Sequence, residues 1–584
     1  MPTLHWIGKE KVINHHMDVP FKVLEHSYGF DNGKQTKQET NSGNKIIHGD
    51  NLEALKALLP EYEGKIKCIY IDPPYNTGKK GWIYNDNSDH PKIKKWVDKI
   101  VGDEDEDLCR HDKWLCMMYP RIQLMKKLLS EDGILFISIN DVEEGNLRLM
   151  CDEILGRKNF LTKLIWNSEG NTDNQLEIKI NHEYILVYLK DTSLKNRAIG
   201  RIVDPNTRAD SNLWIGIADN NINKNNPANP PEFVELPAGF PCTEKELFYK
   251  AKELDEDFFQ ITKDDKMISD LVKKKYKIEN QSGLPIKVTD LIVKDYKLSQ
   301  PCKIYGGFAN RNKLELFIKN DLKPIDDNGA PLSFYLNRNA AVRYRKENER
   351  PRNILSVLRN FGTTEKMRTE LKNQGVNFSY PKPTELIKYL ISFGAQEHNS
   401  IILDSFAGSG TTAHAVLKLN SEDGGKRKFI VVQLDEPNEN GEMINIAEEV
   451  TSKRIKKNII DLGLNDRFDF YEIGKPLFGE DNNLNETIGI EKIRSYIWYT
   501  ETQTGYSKTE YKDNKYYLGK KNETAYYFIY EPNETTTLNH EFLASIKTKA
   551  EQYVFYADNC LLTKDFMTKH HIIFKKIPRD ITRF

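Results

Sequence analysis

Two clusters of residues have types and spacings that could do chemistry. The first is Asp72-Pro73-Pro74-Tyr75, followed by Asn76-Thr77-Gly78. Asp72 offers a carboxylate that accepts an N–H. Proline has no backbone N–H, so the Pro-Pro turn presents carbonyls only, and the Pro73 carbonyl supplies a second acceptor. Tyr75 offers a flat face, and base–aromatic stacking is worth about 1–3 kcal/mol. Two acceptors set out of the plane of a base would draw its exocyclic amine towards tetrahedral geometry and free the nitrogen lone pair. The bland alternative is an ordinary Asp-Pro turn closing a strand. The second cluster is Asp404-Ser405-Phe406-Ala407-Gly408-Ser409-Gly410-Thr411-Thr412. Glycines at a strand-to-helix turn let a ligand approach the backbone closely. Alone, this pattern also suits a dinucleotide. No Gly-Lys-Ser/Thr follows, which disfavours a phosphate loop.

These residues need elements to position them. Cys68-Ile69-Tyr70-Ile71 is an apolar strand running straight into Asp72, and Ile401-Ile402-Leu403 runs into Asp404. DGILFISIN (132–140), HEYILVYLK (182–190) and Lys428 to Leu434 read as further strands, and YPRIQLMKKLLSE as a helix. Strands alternating with helices argue for a parallel, helix-covered sheet. In such sheets ligands bind at the carboxyl ends of the strands. The segments 40–195 and 375–475 are expected to form one doubly wound sheet with Asp72 and Asp404 at neighbouring strand ends. A permuted order is acceptable, because the termini of such folds lie at the surface. An acid about 20 residues past a glycine turn, at the end of the next strand, could hold ribose hydroxyls, and Asp435-Glu436 stand there.

The 584 residues allow roughly three to five structural units. Textures divide the chain at 1–195, 196–350, 351–475 and 476–584. The second stretch loses the strand–helix rhythm and contains the Asn- and Pro-rich NNINKNNPANPPEF; the last is rich in Tyr and Phe. With 39% hydrophobic and 29% charged residues, the composition excludes collagen-like, mucin-like and membrane-bundle classes. The 85 basic residues balance 86 acidic ones, so any nucleic-acid contact must come from local patches. None of the seven cysteines forms a C-x-x-C pair, so neither a disulfide framework nor a metal site is expected. No signal peptide or membrane span is legible, and a reducing, cytoplasmic setting is expected. The acidic run Asp103 to Asp107 reads as a solvated loop.

Asp-Pro-Pro-Tyr followed far downstream by Phe406-x-Gly408-x-Gly410 resembles the amino-methyltransferases that use S-adenosylmethionine. The order, catalytic tetrapeptide first and glycines after a long insert, resembles the β class of DNA adenine-N6 methyltransferases. Relatives modifying cytosine N4 usually carry Ser in the first position, so Asp72 favours adenine. The resemblance implies a permuted Rossmann-like α/β sheet, a target-recognition insert at 196–350, and a small α+β C-terminal domain. It implies catalytic roles for Asp72, Pro73, Pro74 and Tyr75. Cofactor roles are implied for Asp50 (in Ile47 to Leu52), Lys382 (in Phe378 to Pro383), Asp404, Phe406, Gly408, Gly410, Thr411 and Gln433. His182-Glu183-Tyr184 matches a strand lining the base pocket. Gln433 stands where many relatives place the ribose-binding carboxylate; Gln433, Asp435 and Glu436 all remain open for that role. Leu518 to Thr524 and Lys576 to Ile581 resemble modification subunits of type III restriction systems.

The partners implied are double-stranded DNA, a second copy of the chain, and a separate helicase-nuclease subunit, since no phosphate loop is present in this sequence. The tyrosine-rich tail is a docking candidate or a small domain's own core, the latter being the ordinary reading. For DNA contacts, Arg338, Arg343, Arg345 and Arg352 cluster with Tyr335 and Tyr344; a solvated, salt-bridged surface is the alternative. The Asn-rich loop 219–229 could reach a groove. Rival functions are a solitary DNA adenine methyltransferase, a nicotinamide oxidoreductase built on the glycine turn, and a DNA-binding protein that has lost catalysis. The intact Asp72 to Tyr75 argues against the last two.

Overall fold

The computed structural model describes residues 3–579 apart from 77–109, 169–177, 179, 201, 210, 212, 213, 215, 279–284, 348–353, 438–441 and 507–512. Asp103 to Asp107, Thr77, Gly78 and Arg352 lie outside the described residues. The chain divides into two units, Met1–Gly200 with Leu355–Phe584, and Arg201–Ile354.

The first unit is built on one 11-stranded sheet. Its strands are β1 (Lys22–Asp31), β2 (Lys34–Thr36), β3 (Lys45–His48), β4 (Ile66–Ile71), β5 (Leu129–Ile139) and β6 (Phe160–Asn167). They continue as β7 (His182–Leu189), β8 (Val357–Leu358), β9 (Ile401–Asp404), β10 (Lys428–Gln433) and β11 (Phe468–Pro476). The spatial order is β8-β6-β7-β5-β4-β9-β10-β3-β11-β1-β2. From β5 to β11 in that order the strands run parallel. Every residue of β4 is buried, which is why its sequence is a near-continuous apolar run rather than an alternating one.

The HEYILVYLK segment, read as part of a parallel sheet, instead runs antiparallel to both β5 and β6. An antiparallel neighbour needs no helical crossover, and β6 precedes β7 directly in the chain. The helix read from YPRIQLMKKLLSE ends earlier than its pattern, at Leu128, and β5 begins at Leu129.

Helices α1 (Asn51–Tyr62), α2 (Arg110–Leu128), α3 (Thr384–Gly394), α4 (Thr411–Asp423) and α5 (Lys453–Asp461) cover the sheet. Trp114, Met118, Ile122 and Met125 of α2 pack with Leu55 and Leu58 of α1 and Ile69 and Ile71 of β4 in one core. β4 leads through α2 to β5 on one side, while its neighbour β9 leads through α4 to β10 on the other. Adjacent strands whose connections leave in opposite directions open a crevice at their carboxyl ends. Ile402 and Leu403 of β9 pair with Cys68 and Ile69 of β4. Asp72 and Phe406 therefore each follow three residues past a paired position.

Within the same unit the chain after β11 forms a four-stranded sheet from Tyr517–Lys521, Thr524–Phe528, Gln552–Ala557 and Ile572–Lys576, beside the helix Ile490–Thr502. Tyr517, Tyr527, Phe528, Tyr530 and Phe555 are buried in its cores, so these tail aromatics are packing residues. Gly519 has φ +154, and a Cβ there would lie 2.6 Å from Trp498, which requires glycine in the Leu518-Gly519-Lys520 segment.

Among the described residues, the second unit has two three-stranded sheets, one four-stranded sheet and the helices Glu256–Asp264, Asp270–Lys275 and Arg311–Lys319, with a core that includes Val234, Leu236, Phe240, Leu291, Phe317 and Phe334. Among the described residues no helix is long and apolar enough to cross a membrane.

Candidate active site

Asp72 to Tyr75 begin where β4 leaves the sheet. Trp114 of α2 donates its indole N–H to the Pro74 carbonyl at 2.7 Å, so a core residue fixes the turn. Asn76 adopts φ +55 and bonds the buried Glu143 carboxylate, which also takes His111 Nδ1 at 2.7 Å. The Tyr75 hydroxyl lies 2.8 Å from Asp72 Oδ1 and 2.9 Å from Glu183 Oε2 and shares one proton between them. Burial and those two carboxylates push the Tyr75 phenol well above its ordinary range.

Lys382 comes from the segment ahead of α3. Its ammonium sits 2.8 Å from Asp72 Oδ2, 3.2 Å from Glu183 Oε2 and 4.9 Å from the Tyr75 ring centre. Burial alone would lower the Lys382 pKa, but the Asp72 and Glu183 carboxylates outweigh it and raise the value. The lysine side chain is 9% exposed, against 21% for Asp72 and 24% for Glu183. The cation is thus the inner member of the cluster.

The glycine turn follows β9. Asp404 accepts from the Phe406 N–H at 3.0 Å and from the Thr412 hydroxyl at 2.5 Å, tying strand end to helix start. Burial first, and then the Asp72 charge, push the Asp404 carboxyl up to about 7 against the pull of those two bonds. Gly408 has φ +50 and Gly410 φ +75. A Cβ at 410 would stand 2.9 Å from Thr451 Cγ2, and one at 408 would stand 3.0 Å from the Phe378 ring. Glycine is required at both. The Thr411 hydroxyl donates to the Lys382 carbonyl at 3.3 Å. One residue, Lys382, therefore touches the glycine turn with its backbone and Asp72 with its side chain.

Beneath the turn lies Arg454 of α5, fully buried, reaching Ser409 Oγ at 2.8 Å and Thr411 Oγ1 at 2.9 Å. Burial draws its pKa down to about 9. Nothing in the sequence near the turn announces this arginine, which comes from a later helix.

At the end of β10, Gln433 accepts from the Gly408 N–H at 2.7 Å through Oε1 and donates to Glu436 Oε1 at 2.7 Å through Nε2. Burial raises the Glu436 pKa. Asp435 is engaged elsewhere: its carboxylate lies 2.8 Å from His48 Nε2, whose Nδ1 lies 2.6 Å from Glu472. Asp50 caps α1 through the Leu52 N–H at 2.7 Å and meets Arg121 at 3.2 Å.

The sequence-derived residues Asp72, Tyr75, Lys382, Asp404, Gly408, Gly410, Thr411 and Gln433 thus gather at the ends of β4, β9 and β10. Glu183 was legible only as part of a pocket strand, and its carboxylate proves a direct member of the cluster. In the second unit, Arg343 Nε pairs with Asp219 Oδ1 at 2.7 Å and Arg345 approaches Asp219 at 3.5 Å. The Tyr335 hydroxyl also bonds Asp219. Residues 219–221, read as the start of a loop, are the end of the strand Ile217–Asn221, which pairs with Val342–Glu347. The Arg338 carbonyl accepts from Tyr249.

A permuted mononucleotide-type sheet with an Asp-Pro-Pro-Tyr turn at one strand end and a glycine turn at the next is the architecture of an amino-methyltransferase. The chain belongs to the DNA methylase family, whose sequence profile matches residues 66–212 and 196–501. It is 32% identical over 510 residues to the type III restriction-modification enzyme EcoPI Mod subunit of Escherichia phage P1, covering 78% of this chain and 68% of that one. It is 30% identical to the EcoP15I Mod subunit of Escherichia coli over 74% of this chain and 65% of the relative. To the type II methyltransferase M.KpnI of Klebsiella pneumoniae it is 26% identical, over 71% of this chain and 86% of that protein. Family membership overturns the nicotinamide oxidoreductase reading, which had left Asp72 to Tyr75 unexplained.

Proposed function

We propose that this chain is the modification subunit of a type III restriction-modification system and methylates adenine N6 in double-stranded DNA, with S-adenosylmethionine as donor. The observation that carries the proposal is the bridge at Lys382, which joins the glycine turn at Thr411 to Asp72. The two loops meet where a donor and an amine must meet.

The turn fits such a donor. It has glycines where a Cβ would collide. The Ser405 hydroxyl is buried with no hydrogen-bond partner among the described residues. A carboxylate, Glu436, is oriented by Gln433 for ribose hydroxyls. Glu436 is the proposed ribose ligand, because Asp435 is held by His48 and the Gln433 amide is committed to Gly408 and Glu436. Asp50, Asp404, Phe406 and Thr411 complete the proposed donor side, and Lys382 joins it through its backbone carbonyl, which accepts from the Thr411 hydroxyl. Bound donor would supply an electrophilic methyl on sulfur.

Adenine inside a duplex is out of reach, so the base must leave the stack at a cost of a few kcal/mol. Tyr75 stacking recovers part of that cost. Asp72 and the Pro73 carbonyl accept hydrogen bonds from the two amine N–H groups and hold the nitrogen lone pair in line. Positioning supplies much of the rate. A neutral exocyclic amine is too weak an acid for a carboxylate to deprotonate. Once alkylated, the nitrogen is cationic and acidic, and Asp72 can take up the proton it sheds.

Arg338, Arg343, Arg345 and Arg352 remain the proposed DNA contacts of the second unit, with Asp219 setting the direction of Arg343. A restriction subunit, supported by the Mod relatives, and a second copy of the chain are the proposed protein partners. The second reading is a DNA adenine methyltransferase without a nuclease partner; the match to M.KpnI, named as a type II methyltransferase, over 86% of that protein is compatible with a function outside a type III system. Modified-base sequencing of DNA from cells with and without the gene tests the activity; N6-methyladenine at a defined sequence only when the gene is present is the expected result. Co-purification with a helicase-nuclease subunit separates the two readings.

A further inference from the structure

The proposed reaction needs two things of the catalytic turn: a vacant acceptor on Asp72 and an open face on Tyr75. Lys382 covers both. Its ammonium is 2.8 Å from Asp72 Oδ2 and 4.9 Å from the Tyr75 ring centre. An ammonium is itself a nitrogen bearing protons, so it occupies the carboxylate as the target amine would. Such a buried cation cannot simply withdraw into apolar surroundings, since leaving a buried charge without its partner costs several kcal/mol. It needs a second anion within reach. Glu183 supplies one, 3.2 Å from the ammonium, and its other contact is the Tyr75 hydroxyl at 2.9 Å.

We propose that Lys382 is a placeholder for the target amine and that Glu183 is its second seat, so that base capture transfers the lysine from Asp72 to Glu183. The inference rests on the adenine-N6 reading and adds to it two positioning residues and an order of events. Before capture, Lys382 neutralises Asp72 and keeps water and unwanted cations from it. On capture, the amine takes Asp72, the ring takes the face of Tyr75, and the lysine stays paired with Glu183. The lysine backbone remains bonded to Thr411 throughout, so the exchange needs only side-chain motion. Glu183 also keeps the Tyr75 hydroxyl bonded while Asp72 turns to the amine.

The test is a double-mutant cycle read on unmodified genomic DNA with methyl-labelled S-adenosylmethionine, which requires no knowledge of the recognition sequence. Glu183→Gln removes the second seat, so the lysine clings to Asp72 and the KM for DNA should rise about ten-fold. Lys382→Met removes the placeholder, so the KM for DNA should fall about three-fold while kcat drops, and the donor Kd should change by less than about three-fold. The double variant should return the KM to or below the wild-type value, a coupling that two independent losses cannot produce. A Lys382→Met variant with a donor Kd raised ten-fold and no fall in DNA KM would overturn the proposal, as would a double variant no better than Glu183→Gln. If Glu183→Gln does not fold, the KM-against-kcat split of Lys382→Met alone decides. Wild-type protein that transfers no label to adenine would instead defeat the adenine-N6 reading itself.

Discussion

In the proposed reaction Asp72 accepts a hydrogen bond from the target amine, and its partners in the structure are the Lys382 ammonium and the Tyr75 hydroxyl. Asp72→Ala should lower methyl transfer by about 10²–10³-fold, the usual loss when one oriented polar group of a reacting centre is removed. DNA binding should stay within a few-fold, as measured by mobility shift, because phosphate contacts dominate affinity. Tyr75→Ala should weaken base capture roughly ten-fold or more, since stacking is worth about 1–3 kcal/mol. Donor binding, followed by calorimetry, should hardly change. Asp404 carries a different signature. Its carboxyl is pushed up to about 7, whereas in the unfolded chain it ionises near 3.9. Between those values the folded protein holds a proton that the unfolded chain has lost, so the group's contribution to stability falls as pH rises. Asp404→Asn removes that dependence. Its stability relative to wild type should grow between roughly pH 4 and 7, by up to about 1.4 kcal/mol per pH unit, and level off above. Urea unfolding of donor-free protein across that range checks it; a constant difference would contradict the assignment.

At the scale of elements, the strands that carry chemistry were legible because they are short apolar runs ending in residues that stop a strand: Pro73-Pro74 after β4 and the glycine turn after β9. The direction of β7 was not legible. A strand buried in a mixed sheet has the same apolar run whether it lies parallel or antiparallel, and only its neighbour in space decides. Arg454 escaped notice, and Glu183 showed only as part of a pocket strand, for a related reason: each reaches the site from an element distant in the chain, and no local pattern marks the contact. The arginines of the Val342–Glu347 strand showed as a basic cluster, but their counter-ion, Asp219, lies on a partner strand more than a hundred residues earlier. The turn itself is testable. Gly410→Ala places a Cβ 2.9 Å from Thr451 at φ +75, and should cost about 1–3 kcal/mol of stability. Donor affinity, measured by calorimetry, should fall with it. The C-terminal part offers a purely structural test. Arg579 is buried against an equally buried Asp558 and also reaches Glu486 at 2.9 Å. Arg579→Met leaves Asp558 without its cation and should cost about 3–5 kcal/mol in denaturant unfolding. That role explains the Pro578-Arg579 part of the terminal motif without reference to a partner; Asp580 and Ile581 lie outside the described residues.

At the scale of the molecule, the two halves of a divided sequence close into one sheet because β4 and β9 pair. That pairing, not proximity in the chain, brings the two motifs together. The boundaries of the inserted unit, Arg201–Ile354, fall close to where the strand–helix rhythm lapses in the sequence. The unit has its own apolar core, so expressed alone it should unfold cooperatively in a thermal melt; a non-cooperative melt would show that it depends on the rest of the chain. In the proposed function this assembly places a methyl group on the exocyclic nitrogen of adenine. Purified protein incubated with methyl-labelled S-adenosylmethionine and unmodified duplex DNA, followed by digestion to nucleosides, tests it most directly. Label is expected in N6-methyldeoxyadenosine alone, and is expected to be lost with Asp72→Ala. Label in N4-methyldeoxycytidine, or label that survives that substitution, would contradict it.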